Sequence, residues 1–492
     1  MHRLLLLLFL LIPLIANCDR DSSTTLEDSQ SEELEAPLEE EQEEAHSIKA
    51  WHQARAQTFG SLKDLKPLID IAGTRDLILL GEATHGTKEF YTLRGELTLA
   101  IAEQKGLDFV VVEADWPSMR PVYEYVLGAG SEGDIDRVLI NSFQRWPQWM
   151  WANEEFRDFL VALRHYNERN PDRPIRIYGL DVQAPEEAIA LFQEILDENL
   201  ADQGESIKEE LKCITQFDSL NDYAKALHDQ LHRHHGHGHG HDHGHSHGHN
   251  HGNQREVTYG DGESNCGPSM ERLVAKTAEA FPTSSSLDIN ARMTAKSIAA
   301  AEEQQRARLS HRQGDFWNAR AGAMYGIARD LLLDVESNQR GVVWAHNTHI
   351  GDARSNFMVD HGQINIGQLA REDDELGPEK VLSVGFSTYK GRVLAGLRWE
   401  APIEEMTIPE AKEDSFDALL YRNVPEDHFF FFEPSDAALP FFAEKIPHRA
   451  IGVAYQPHRE QFGNYIDTRI PIRYDALIFI AETEALTQLA RE

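Results

Sequence analysis

The residues most able to do chemistry sit just after short apolar runs. Glu82 and His85 stand three apart in Gly81-Glu82-Ala83-Thr84-His85-Gly86, directly after Leu77 to Leu80. Glu113 follows Phe109 to Val112, Asp181 follows Ile175 to Leu180, and His346 and His349 follow Val342 to Trp344. An imidazole titrates near working pH, so His85 can take a proton from water while Glu82 or Glu113 orients the reacting groups. The oxyanion formed when that water attacks an ester carbonyl needs donors, for which His346, His349 and Arg94 are candidates. Arg94 also carries the charge to hold nearby carboxylates ionised. The same side chains suit a second chemistry, with Glu82-x-x-His85 and His346-x-x-His349, plus Glu113 or Asp181, around Zn or another divalent ion that acidifies water. The spacing leaves both chemistries open, although no HExxH or cysteine metal signature is present. No G-x-S-x-G elbow exists, and Ser383 and Ser387 read as ordinary strand residues. No phosphate cradle stands out, which argues against a nucleotide enzyme.

Such residues act together only if the chain brings strand ends to one rim. The runs 77–80, 109–112, 175–180, 342–344 and 381–386 are apolar on both faces, as strands of a helix-covered parallel sheet are. Runs at 452–455 and 476–480 suggest further strands. Phe90 to Lys105 has helical spacing and stops at Gly106, giving a strand–helix–strand unit with parallel strands. In such sheets ligands bind beyond the carboxyl ends of the strands. The predicted fold class is α/β: a parallel-sheet core covered by helices, with an inserted, mainly helical lobe. The expected divisions are a leader at 1–18, an acidic tether at 19–50, core at 51–184, helical insertion at 185–333, and core again at 334–492. Trp116, Trp146, Trp149 and Trp151 are candidates to line a bulky apolar pocket, with core and interlobe packing as the alternative.

Composition narrows the partners. The 492 residues carry 47 basic and 82 acidic side chains, a net charge of -35, so nucleic acid is a poor partner. Leu4 to Ala16 is too short an apolar run to span a bilayer comfortably and reads as a signal peptide. Leu14-Ile15-Ala16-Asn17-Cys18 resembles a bacterial lipoprotein cleavage box, apart from Asn17, where a small residue is usual. That resemblance implies a lipid anchor at Cys18 and a place in the bacterial cell envelope, at the periplasmic face of a membrane. Residues 19 to 44 hold twelve acids against Arg20, a composition that cannot repay the entropy of ordering. Cys213 and Cys266 flank a histidine tract and are candidates for one disulfide, with two unrelated thiols as the alternative. The tract, residues 232–252, holds eleven histidines: His232, His234, His235, His237, His239, His241, His243, His245, His247, His249 and His251. Its alternation with glycine suits a loop able to bind Zn, Ni or Cu in interchangeable geometries, and does not suit a fixed catalytic shell.

Several colinear segments carry a family resemblance: LLGEATHGTKEFYTLRGEL (79–97), VVVEADWP (110–117), RWPQWMWANEEFRDFLVALRHYN (145–167), IYGLDV (177–182), VVWAHNTHIGDAR (342–354), VGFSTYKGRVLA (384–395) and IGVAYQPHRE (451–460). At these residues, across roughly 50–485, the chain resembles the erythromycin esterase family. The resemblance implies ester hydrolysis without a metal or other cofactor, His85 as general base, Glu113 as its partner, and Glu82, Arg94, His346 and His349 as the remaining site positions. It also implies a small-molecule ester or lactone as substrate, in a cleft between core and lobe. Ala321, Gly322 and Ala323 depart from the family's polar residues after the arginine matched by Arg320, which puts that arginine's supporting network in doubt. The rival readings are a metal-dependent hydrolase on the same rim and a non-catalytic periplasmic metal-binding lipoprotein whose working part is the histidine tract.

Overall fold

The computed structural model describes residues 47–200, 204–234, 265–310, 312, 314–333 and 339–490. The leader, Cys18 and nearly all of the expected tether lie outside these residues, as do the side chains of the histidine tract. Residues 47–50, placed in the tether by composition, begin a helix that buries Ile48 and Trp51.

Eleven strands are described: β1 (Gln57–Thr58), β2 (Leu77–Leu80), β3 (Phe109–Asp115), β4 (Arg176–Asp181), β5 (Gly341–Trp344), β6 (Val381–Gly396), β7 (Ile403–Ile408), β8 (His428–Phe431), β9 (Ile446–Arg449), β10 (Tyr465–Thr468) and β11 (Ala476–Thr483). The main sheet runs β4-β3-β5-β2-β6-β11-β8-β1. Its strands are parallel from β4 to β11, then antiparallel at β8 and β1. β2 and β5 are buried at every residue, which is why they lack polar alternation. β7 pairs only with the far half of β6, and β9 and β10 form a separate pair.

The predicted strand–helix–strand unit is present, with the helix Lys88–Lys105 ending at Gly106, where φ is 81°. Its strands are parallel but not neighbours, because β5 lies between β2 and β3. A strand arriving from 341, after the helical lobe, thus enters the middle of the sheet. The 452–455 run is not a strand; it touches β6 through a single bridge between Gly396 and Ala454. Between β4 and β5 the described elements are all helices, including Pro185–Asn199, Glu205–Thr215, Gly267–Ala280, Ser286–Ala307 and Asp315–Leu333. They enclose their own apolar core around Phe192, Leu211, Leu273 and Ile298. A disulfide joins Cys213 to Cys266 across the ends of two of these helices. Among the described residues no helix is long and apolar enough to cross a membrane.

Candidate active site

Register places the chemistry. Leu80 pairs with Trp344, and Trp344 with Val112, so Glu82, Glu113 and His346 leave the sheet at one level. Asp181, at the end of β4, closes the same edge beside Asp115 of β3. Two close approaches hold the rim together. A side chain at Gly81 would meet Asn347 Oδ1 at 2.1 Å, and one at Gly86 would meet Leu394 O at 1.9 Å, so both turns need glycine. Asn347 uses the space at Gly81: its Nδ2 donates to Phe386 O at 2.7 Å, while its backbone N–H donates to Glu82 O at 2.9 Å. That clamp ties the ends of β2, β5 and β6 and was not singled out from the sequence.

Glu82 is the first centre. One carboxylate oxygen lies 2.8 Å from His85 Nδ1, and the other accepts from Arg94 Nη2 at 2.6 Å. Arg94 is fully buried, its guanidinium 4.4 Å from the Tyr91 ring and 5.0 Å from the Trp344 ring. With Nδ1–H donated to Glu82, His85 keeps a lone pair on Nε2. Burial opposes a charge on His85, but the Glu82 hydrogen bond and the negative charges of Glu82 and Glu113 prevail and raise its pKa.

Glu113 is the second centre. It accepts from His346 N at 2.8 Å and lies 3.2 Å from both His349 Nε2 and Arg320 Nη2. Burial alone would raise its pKa, yet the charges of His349, His85 and Arg320 hold it well below the ordinary carboxylate value. Trp151 Nε1 donates to the Glu113 carbonyl at 3.1 Å and fixes the strand end.

His346 links the two centres, its ring 4.7 Å from that of His85. Burial, with His85 next to it, pushes its pKa far down, so it is neutral. Because His346 Nδ1 accepts from Thr348 N at 3.2 Å, the proton sits on Nε2. Nε2 is buried and makes no hydrogen bond among the described residues, while the Ala83 backbone acts on the ring to favour its charged form. His349 stacks flat on Trp317 at 4.8 Å.

Arg320 departs most from expectation. Its Nε and Nη2 donate to Asp181 at 2.9 and 2.6 Å, and it reaches Glu113 as well. The network put in doubt by Ala321 to Ala323 is supplied by the end of β4, not by the helix that carries Arg320. Asp115, beside Asp181, is lifted to about 7 by burial and by that like charge, against Arg145 and the Gln183 amide. All six predicted site residues therefore meet, with Asp181, Arg320 and Asn347 added.

Other expectations shift. Trp116, Trp149 and Trp151 are buried packing residues, Trp116 stacking on Tyr178 at 5.1 Å, and only Trp146 reaches the surface. Ser383 and Ser387 are buried, donating to Ile350 O and Asp417. Gly128-Ala129-Gly130-Ser131-Glu132-Gly133 has the letters of a dinucleotide cradle, but it joins two helices and Arg164 occupies its carbonyls. For the metal alternative, among the described residues no three His, Cys, Asp or Glu side chains converge as a ligand set. The oxygens of Glu82 and Glu113 are already committed to guanidinium, imidazole and amide donors.

The erythromycin esterase family profile matches residues 102–483. The chain belongs to the erythromycin esterase family. The match starts beyond His85 and Arg94, so the first centre rests on geometry and motif. Erythromycin esterase type II of Escherichia coli is 29% identical over 119 residues, which is 24% of this chain and 26% of that relative. The matched stretch thus spans about a quarter of that esterase's length. Among solved structures, a Bacillus cereus protein is similar with a TM-score of 0.68, 19% identity and coverage of 91% of this chain and 99% of that one. A succinoglycan biosynthesis protein is similar at 0.65, with 18% identity and coverage of 90% and 98%. A mutant of the erythromycin esterase EreC in its open conformation is similar at 0.56, with 15% identity and coverage of 87% and 97%. At these identities the structural likenesses establish the fold shared by this esterase family member.

Proposed function

We infer that the protein hydrolyses a carboxylic ester or lactone with a water activated by His85. Family membership supports ester hydrolysis; the mechanism rests chiefly on the Glu82-held imidazole of His85 facing the neutral His346 ring at 4.7 Å. Glu82 holds the Nδ1 proton, so Nε2 removes a proton from water as the water oxygen bonds to the acyl carbon. The carbonyl oxygen gains negative charge, and His346 Nε2–H donates to it. When the acyl–oxygen bond breaks, the His85 imidazolium returns its proton to the departing alkoxide, giving an acid and an alcohol, or a hydroxy acid from a lactone. Glu113 stabilises the imidazolium and fixes the His346 backbone, while Arg320 and His349 keep Glu113 ionised. The reaction routes no step through a metal.

We place the enzyme in the cell envelope, anchored through a lipidated Cys18; the Cys213–Cys266 disulfide favours an oxidising compartment. The histidine tract is assigned metal binding without a role in turnover. The test uses the chain lacking residues 1–18 on p-nitrophenyl acetate and a panel of lactones. Wild-type turnover that survives chelation and vanishes in a folded His85→Ala variant supports the reading. Activity in His85→Ala, or a chelator-sensitive rate, overturns it.

A further inference from the structure

Two loops from different parts of the chain meet beside the rim and leave tryptophan in solvent. The far half of β6 returns over the His85 turn, where Leu394 N donates to Gly86 O at 3.0 Å. Two residues on, Gly396 is held by Val453 O and by the β7 strand, so the β6–β7 tip stands on a fixed stem. At the tip Leu397 is 46% and Trp399 63% exposed. From the other side Arg145 pairs with Asp115 at the end of β3. The adjoining Trp146 sets its indole 4.6 Å from that of Trp399, edge to face at 62°. Trp146 lies against Gly396, and its N–H is spent on Ala401 O at 3.1 Å.

The stem and the Arg145 anchor fix this aromatic lip near the site. Two extended residues span about 7 Å, so Gly396 stands about that far from the Leu394 contact with the His85 turn, and Trp399 follows three residues further along the chain. Leu397 is aliphatic and the Trp146 donor is occupied, so apart from the Trp399 indole N–H the lip offers hydrocarbon contact. The exposed charges beside it, Arg398 and Glu400, are opposite and select no net charge. Exposed apolar patches serve as binding surfaces, and tryptophan presents a rigid face with little rotamer entropy to lose.

Resting on the hydrolase reading, we propose that Trp399, backed by Trp146 and flanked by Leu397, is a specificity-determining subsite for an aliphatic or alicyclic arm of the ester. The enzyme then prefers esters whose apolar part reaches the lip over short ones. The test compares kcat/KM for p-nitrophenyl octanoate and acetate in wild type, Trp399→Ala and Trp399→Phe. The octanoate-to-acetate ratio falls about 10-fold in Trp399→Ala, mainly through KM, and is largely retained in Trp399→Phe. An unchanged ratio overturns the proposal while leaving hydrolysis standing. Calorimetric titration with p-nitrophenyl octyl ether, which has no ester to cleave, gives an independent answer. Affinity lowered about 10-fold by Trp399→Ala supports the lip even if neither ester turns over, a result that sinks the hydrolase reading alone. Equal affinity in the two proteins, or no binding to wild type, overturns the lip.

Discussion

Glu82→Gln is the most exposing perturbation, because it changes one atom and the surroundings dictate how the new amide turns. Arg94 Nη2, 2.6 Å from Oε2, is a donor only, so the amide oxygen must face it. The amide NH2 then faces His85 Nδ1 across the 2.8 Å contact and donates to it. His85 is left with its proton on Nε2, the nitrogen that must accept one from water. A tautomer error of this kind lowers kcat by about 10^4 in hydrolases with an oriented histidine, about 5.5 kcal/mol of transition-state stabilisation. Folding also weakens: the buried Arg94 loses its countercharge, at about 3 kcal/mol, partly offset by the Tyr91 and Trp344 rings. The assay is kcat/KM on p-nitrophenyl acetate across pH 6 to 9, with circular dichroism and a thermal melt to establish folding. Raising the pH does not restore the rate, since the error is in proton placement and not in proton count. A folded Glu82→Gln protein within about tenfold of wild type refutes the assignment of Nε2 as the base.

Wild-type kcat/KM should rise with pH as His85 deprotonates, with its midpoint above the ordinary histidine value because the neighbouring carboxylates raise its pKa; an ascending limb centred below about 6.5 contradicts this. Arg320→Ala takes the guanidinium from two buried carboxylates, Asp181 and Glu113, and should reduce stability by about 3–5 kcal/mol and the rate by about 100-fold. Arg320→Lys should rescue little, because a single ammonium cannot reproduce the two-pronged contact with Asp181, and full rescue in a melt and a rate assay contradicts the geometry. Removing the Cys213–Cys266 link by a double Cys→Ala change frees a loop with a sequence separation of 53, which should lower stability by about 4 kcal/mol. Denaturant curves with and without reductant check it, and coincident curves for oxidised and reduced wild type refute a stabilising bond.

The rim was legible in the sequence because each of its residues follows an apolar run short enough to be a strand, and parallel strands bring their carboxyl ends to one edge whatever their order. That logic delivered Glu82, His85, Glu113, His346 and His349 without knowledge of neighbours. Order itself was not legible: β5 enters between β2 and β3 after a long helical excursion, and local pattern carries no record of which strand will fill a gap. The Trp residues stayed ambiguous for a related reason, since an indole suits a pocket wall and a core equally, and only packing put Trp116, Trp149 and Trp151 inside. Arg320 depends on Asp181, 139 residues away, so reading its helix neighbours looked for support in the wrong place.

By itself, then, the sequence determined the residue types at the strand ends, the parallel core, and the acidic balance that disfavours nucleic acid. Tertiary structure decided which nitrogen of His85 and His346 carries the proton, which carboxylates Arg94 and Arg320 neutralise, and where tryptophan remains in water. Those outcomes depend on distances of a few ångströms between segments remote in the chain, and electrostatic and hydrogen-bond energies change steeply over such distances.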